Sequence, residues 1–190
     1  MRITQDTAID ILRAMVADRW VIRHGKAGRP ILSRKPVFAE DREFTPAQKE
    51  QHGRFREAAL FAKSAIGKEV IYTVMAAGTA RTAFNVAIAD WFHPPEIEMI
   101  DLSGWTGCPG ESIRIRALDD VMVRRVTVII ADGEDRVIEQ GEAAQEEDDS
   151  WWVYTTTKAA TGSSRVIAMA EDLPGHVTQE VAPMAQEKAA

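Results

Sequence analysis

Ser112-Ile113-Arg114-Ile115-Arg116-Ala117 alternates apolar and polar residues along its whole length. Successive side chains of a strand point to opposite faces, so this stretch sets both isoleucines and Ala117 on one side and both arginines on the other. A half-buried antiparallel strand fits that pattern. The same period of two recurs on either side. Ile97 and Met99 alternate with polar neighbours up to Asp101, and Val126, Val128 and Ile130 mark another strand. After the turn Asp132-Gly133-Glu134-Asp135, the chain returns as Arg136-Val137-Ile138-Glu139. Trp151-Trp152-Val153-Tyr154-Thr155-Thr156-Thr157 is dense in the aromatic and β-branched residues that strands favour. Val166, Ala168 and Ala170 give a sixth strand, and Val177-Thr178-Gln179-Glu180-Val181 a seventh. Seven short strands, with turns at 104–110, 132–133, 141–150, 162–164 and 174–175, predict an antiparallel β-sandwich over residues 94–183.

Upstream of Pro94-Pro95 the period is helical, so the prolines mark the expected boundary of a helical region at 1–93. Residues 7–19 carry Ile9, Leu12, Met15 and Val16 as one apolar stripe. Thr45-Pro46-Ala47-Gln48 is a capping box with proline at the first helical position. The helix it opens should run to about Ile66, with Phe55, Ala58, Ala59, Ala62, Ala65 and Ile66 largely on one side. Gly67 stops it, a second helix reaches from Lys68 to Ala77, and Ala80 to Phe92 forms a third. Between 19 and 44, Gly25, Gly28, Pro30 and Pro36 exclude a long helix. Trp20-Val21-Ile22 and Pro30-Ile31-Leu32 read as short strands or as parts of an extended basic arm. The tail 184–190 is expected to fray. The fold class expected is therefore α+β, a helical region with a basic arm followed by a seven-stranded sandwich.

Pro95-Glu96-Ile97 at entry, Gly110-Glu111-Ser112-Ile113 before the second strand, and Ala170-Glu171-Asp172-Leu173-Pro174-Gly175 before the last carry a resemblance. In these residues the second half resembles the immunoglobulin-like or fibronectin-III-like modules of bacterial proteins. The paired cysteines of antibody-type domains are missing, and the fold implies no function by itself. Gly25-Lys26-Ala27-Gly28, Arg34-Lys35-Pro36, Thr45-Pro46-Ala47-Gln48 and Arg54-Phe55 are loosely similar to a bacterial family with a basic Gly-Lys-x-Gly arm and a Thr-x-x-Gln helix. That resemblance implies no activity.

At 45% hydrophobic and 27% charged, 190 residues suit one medium domain or two small ones. No run of eighteen apolar residues occurs, and Met1-Arg2-Ile3-Thr4-Gln5-Asp6 has no apolar segment behind it. A cytoplasmic protein is the expectation, with leaderless export left open. Cys108 is the single cysteine, so no intrachain disulfide or multi-cysteine zinc site forms. The net charge of -6 divides unevenly. Residues 1–68 hold fourteen Lys/Arg against eight Asp/Glu, while 69–190 hold nine against twenty-one. From Arg19 to Lys35 there are six cations (Arg19, Arg23, Lys26, Arg29, Arg34 and Lys35) and no acid. Such asymmetry bears on partners rather than on fold.

Patterns that carry catalysis are absent from the sequence. His24, His52, His93 and His176 show no metal-ligand spacing. His93 reads as a linker residue. No base neighbours Cys108 in Trp105-Thr106-Gly107-Cys108-Pro109-Gly110. Gly25-Lys26-Ala27-Gly28-Arg29-Pro30 lacks Walker spacing, and Ala27 stands where an AT-hook needs arginine. Asp119-Asp120 and Glu142, Glu146, Glu147, Asp148 and Asp149 read as solvated acidic edges, with loop calcium binding the alternative. Trp151 and Trp152 must face opposite ways, so one is a candidate outward anchor, as is Trp105.

No catalytic residue, metal or cofactor is expected. The leading expectation is a non-enzymatic structural or assembly protein. Its basic arm, able to span up to about 80 Å at roughly 3.3 Å per residue, would reach an acidic sandwich on another copy or another protein, making a homo-oligomer. The alternatives are a nucleic-acid-associated protein using residues 19–35 and a carbohydrate- or ligand-binding module using the outward tryptophans.

Overall fold

A computed structural model of the chain describes residues 20–24, 30–37, 43–147, 150–160 and 162–183. The helix expected at 7–19 and the tail at 184–190 lie outside them. The fold is mixed α+β, with three helices and three antiparallel sheets of two, four and four strands among the described residues. The chain divides into two compact units, 1–52 and 53–190.

In the first unit, β1 (Trp20–His24) and β2 (Pro30–Arg34) pair from Trp20↔Arg34 to His24↔Pro30. The stretch expected as an extended arm is thus partly a hairpin. Five paired residues extend only about 17 Å, and the strand ends Trp20 and Arg34 lie side by side. The reach of about 80 Å is corrected accordingly.

Helix α1 (Pro46–Ala65) begins at the expected capping box. The Gln48 N–H donates to Thr45 Oγ1 at 3.3 Å, and the Thr45 N–H donates to Gln48 Oε1 at 3.0 Å. In the second unit follow α2 (Val70–Ala76) and α3 (Ala83–Phe92), the latter capped by Thr82, whose Oγ1 accepts from the Asn85 N–H at 3.2 Å. Ala58, Ala62 and Ala65 are buried, whereas Phe55 and Ile66, expected with them, are exposed. The cluster that holds Ala62 and Ala65 takes in larger rings, with Tyr72 fully buried and Phe61 and Phe84 packed against it.

The two larger sheets have strand orders β3-β4-β8-β7 and β10-β9-β5-β6. Their strands are β3 (Glu96–Asp101), β4 (Ser112–Leu118), β5 (Val123–Ala131), β6 (Val137–Glu142), β7 (Ala144–Gln145), β8 (Trp151–Thr155), β9 (Arg165–Asp172) and β10 (Val177–Pro183). All seven strands expected from the sequence form. The eighth, β7, lies in the stretch 141–150 read as a turn, so the seven-strand count is corrected. Two residues carry no alternation to read. At Ala143, buried with its N–H on Val126 O at 2.9 Å, the chain leaves one sheet for the other.

Between the sheets lies one core. Ile113, Ile115 and Ala117 of β4, Trp152 and Tyr154 of β8, Val126, Val128 and Ile130 of β5, and Val166, Ala168 and Ala170 of β9 form it. The alternation in β4 survives intact, with every second residue buried. A second apolar cluster joins Ala62, Tyr72, Ala76, Val86 and Ala87 of the helices to Leu173 of the β9–β10 turn. The boundary expected at Pro94-Pro95 therefore falls inside the second unit, because the helices and the sandwich share buried contacts.

Gly141 shows how tight this interior is. A Cβ placed there would meet Tyr154 Cε2 at 2.7 Å, below any normal contact. Gly53, within α1, has open space in the corresponding position. Gly141→Ala should cost about 1–3 kcal/mol through overpacking, while Gly53→Ala should gain about 1 kcal/mol of helix stability. Urea unfolding of both variants checks the opposite signs; a neutral Gly141→Ala would mean the Tyr154 ring is not locked.

Candidate functional site

The residues singled out for binding fall into two groups. Of the six cations, Arg19, Lys26 and Arg29 lie outside the described residues. Arg23 lies in β1. Arg34 ends β2, and both it and Lys35 are exposed. Pairing across the hairpin brings the Arg34 guanidinium to 5.7 Å from the Trp20 ring centroid, within cation–π range. The hairpin therefore presents a cation and an aromatic ring side by side.

Trp105, Trp151 and Trp152 do not form one surface. Trp152 opposes Ile115 in the β4–β8 register and points into the core, where it is 6% exposed. Trp105 is 4% exposed in the same core, which corrects its expected outward position. An indole carries enough apolar area to be drawn under the sheets from the β3–β4 loop. Trp151 is the outward ring, yet it is partly covered. The Arg114 guanidinium stands 4.5 Å from its centroid and grips Glu146 through Nε at 3.2 Å and Nη2 at 2.7 Å.

Loop carboxylates are dispersed rather than convergent. Glu146 is held by Arg114, Glu142 pairs with Arg125 at 3.4 Å, and Glu147 is exposed. Asp148 and Asp149 lie outside the described residues. Among the described residues, no group of three or more His, Cys, Asp or Glu side chains is placed to hold a metal ion. Cys108 is exposed in a loop fastened by Glu111, which accepts from the Thr106 N–H at 2.6 Å and the Cys108 N–H at 3.1 Å. No described helix is long and apolar enough to cross a membrane.

Sequence reasoning missed a place where titratable groups meet under cover. Asp90 follows Val86 by one helical turn on the inward stripe of α3 and is fully buried. Tyr72, equally buried on α2, donates its hydroxyl to Asp90 Oδ2 at 2.5 Å. Asp90 Oδ1 has no hydrogen-bond partner among the described residues. Asp172, also fully buried, accepts from the Gly175 N–H at 2.7 Å and the His176 N–H at 2.6 Å, and meets His176 Nδ1 at 2.9 Å. The His176 ring packs edge-on against Trp91 at 5.4 Å. His93, read as a linker residue, meets Asp120 Oδ2 through Nδ1 at 2.6 Å.

Burial pushes Asp90 up to about 7, with like charge from Asp119 and Asp172 adding to it and the Tyr72 hydrogen bond and His176 opposing. Asp119, whose Oδ2 is also buried without a partner, is pushed up to about 6, first by burial and then by Asp172 and Asp120. Burial, and then the bond to Asp90, drives the Tyr72 phenol upward. Asp119 lines a groove of about 410 Å³ with Ile71, Val121 and Met122. The cluster can store a proton; it contains no activated nucleophile. The signal for it was an acid on the inward face of an otherwise apolar helix.

No family model matches the chain, and no curated protein matches it. Among solved structures, CopC from Methylosinus trichosporium OB3b is similar over 46% of this chain and 87% of its own, at 16% identity and a TM-score of 0.35. An engineered protein is similar over 52% of this chain, which spans a quarter (25%) of that chain's length, at 17% identity and a TM-score of 0.33. Likenesses of that size carry no activity across to this chain.

Opposite faces of β8 give opposite expectations for its tryptophans. Trp152→Ala should destabilise by about 3–5 kcal/mol, as for a large core residue. Trp151→Ala should cost about 1 kcal/mol or less, chiefly the lost contact with Arg114. Chemical denaturation of the two variants measures the difference; equal costs would refute the assignment of faces.

Proposed function

We propose that this protein is a non-enzymatic assembly protein in which the basic hairpin of one copy docks on the acidic sandwich of another. The carrying observation is the division of charge, a surplus of six positive charges over residues 1–68 against a deficit of twelve over 69–190. Arg34 and Lys35 stand exposed at the end of β2. On the sandwich, Arg114, Arg116, Arg125, Arg136 and Arg165 each face a carboxylate of the sandwich itself. Five of its seven cations are thereby engaged, and its surplus of acid is left to meet cations from elsewhere. Exposed Glu96, Glu147 and Glu180 belong to that surplus. A head-to-tail contact of this kind closes a ring or runs on, according to its rotation.

The strand orders β3-β4-β8-β7 and β10-β9-β5-β6 support the finer reading of the sandwich as immunoglobulin-like. Modules of that class commonly serve as rigid platforms. Carbohydrate binding is less well supported, since Trp105 and Trp152 lie in the core and Trp151 is partly capped. Association with nucleic acid has one observation in its favour, the Trp20–Arg34 pair, because an aromatic beside a cation suits stacking on a base next to a phosphate.

Light scattering of the full chain over a range of concentration and salt tests the proposal. At low salt the particle mass should exceed that of a monomer. Salt screens exposed charges beyond about 10 Å at 0.1 M, so the mass should fall as salt is added. Charge reversal by Arg34→Glu with Lys35→Glu should raise the dissociation constant about tenfold or more, a loss of about 1.4 kcal/mol. A strict monomer at high concentration and low salt would overturn assembly. Salt-dependent nucleic-acid binding lost in the same variant would favour the rival reading.

A further inference from the structure

We propose that Asp90 is a proton-operated latch within the helical layer, between α2 and α3: protonated, it holds the two helices together where they pack on Leu173; ionised, it loosens them. The inference stands apart from self-assembly and concerns the second unit alone. Tyr72, Asp90 and Asp172 are each fully buried, and Leu173 lies in one apolar cluster with Tyr72, Val86 and Ala87. The Tyr72 hydroxyl ties α2 to α3 through Asp90 Oδ2, while Oδ1 has no partner among the described residues. An ionised carboxylate at that depth needs donors to both oxygens, and only one oxygen has one. A protonated carboxyl removes the charge and still accepts from Tyr72.

The groups around Asp90 act on its ionisation in both directions, Asp119 and Asp172 against it and Tyr72 and His176 for it. Tyr72 faces it from α2, with Glu69 just before that helix. Asp119 presses on it from the β4–β5 connection, where the adjacent Asp120 is taken up by His93. From the β9–β10 turn come Asp172 and His176, and the His176 ring is engaged with Asp172. Two carboxyls, Asp119 and Asp172, thus bear on Asp90, against one imidazole that is already paired.

The sign follows from the direction of the shift. Asp90 keeps its proton to about pH 7 in the folded chain, against 3.8 for an ordinary aspartate. The folded helices then bind more protons than unfolded ones. Their advantage is complete below about pH 4 and is lost as the pH rises through about 7. Asp119 shifts the same way but is only half-buried and lies off the helices.

Hydrogen exchange of the full chain, corrected for the intrinsic pH dependence of exchange, reads the latch directly. Between about pH 6 and about pH 8, protection over residues 70–92 should fall by about tenfold in the wild type. The fall should persist in Asp119→Asn and vanish in Asp90→Asn, whose amide is neutral throughout. An unchanged wild type, or an Asp90→Asn variant that loses protection as the wild type does, overturns the proposal. Should Asp90→Asn fail to fold, the infrared band of a protonated carboxylic acid decides it in the wild type. A buried acid band that disappears near neutral pH supports the latch, and its absence at about pH 6 refutes it.

Discussion

Asp172 is the point on which the second unit turns. A carboxylate without solvent must find donors inside the protein. Asp172 finds the N–H groups of Gly175 and His176 and the His176 ring within five residues. Gly175 supplies the positive φ of 91° that closes so short a loop. Three consequences follow from one side chain. Strand β10 returns in register beside β9, from Val177↔Glu171 to Pro183↔Arg165. Leu173, at the crest of the turn, is delivered to the helices. The His176 ring is set against Trp91 of α3. The sandwich edge and the helical layer are joined where a single aspartate has been satisfied.

What could be seen from sequence was local in its causes. Period-two alternation needs only the strand's own residues, so all seven strands with alternation or β-branched runs were legible, and so was the capping box at Thr45. Strand β7 was not, because two residues have no period. Parity required Trp151 and Trp152 to face opposite ways, but choosing between them needed the partner strand. The register Ile115↔Trp152 decides it. Trp105 was misjudged because its loop gives no periodic signal at all. Phe55 shares the helical spacing of Ala58, Ala62 and Ala65 and is nevertheless exposed, which no count of apolar residues reveals.

Charge was legible as a sum and not as an arrangement. Arg114 and Arg116 alternate outward from β4 as the pattern demanded. Arg114 lies over Trp151 while holding Glu146, and Arg116 meets Glu98 of β3 at 3.2 Å. These pairs are partly exposed, and such pairs contribute little to stability. Their larger effect is on what remains. With five of its arginines paired, what remains on the sandwich is a surplus of acid, and a surplus of one sign steers charged molecules. Steering of that kind acts on the rate of encounter more than on the strength of the final contact.

Asp172 and Asp90 show why two equally buried acids do different things. Asp172 has donors for both oxygens, two of them from backbone that moves only if the turn opens. Among the described residues Asp90 has a single donor, a phenol on a neighbouring helix, and one oxygen without a hydrogen bond. Depth is the same, so the number of donors separates them. The first acid is fixed by its surroundings and serves geometry. The second is balanced between a neutral form that suits its depth and a charged form that does not, and it sits where α2 meets α3. If those two helices are to part, the half-satisfied carboxyl is where the motion begins, since the hydrogen bond that joins them there is the one to Tyr72.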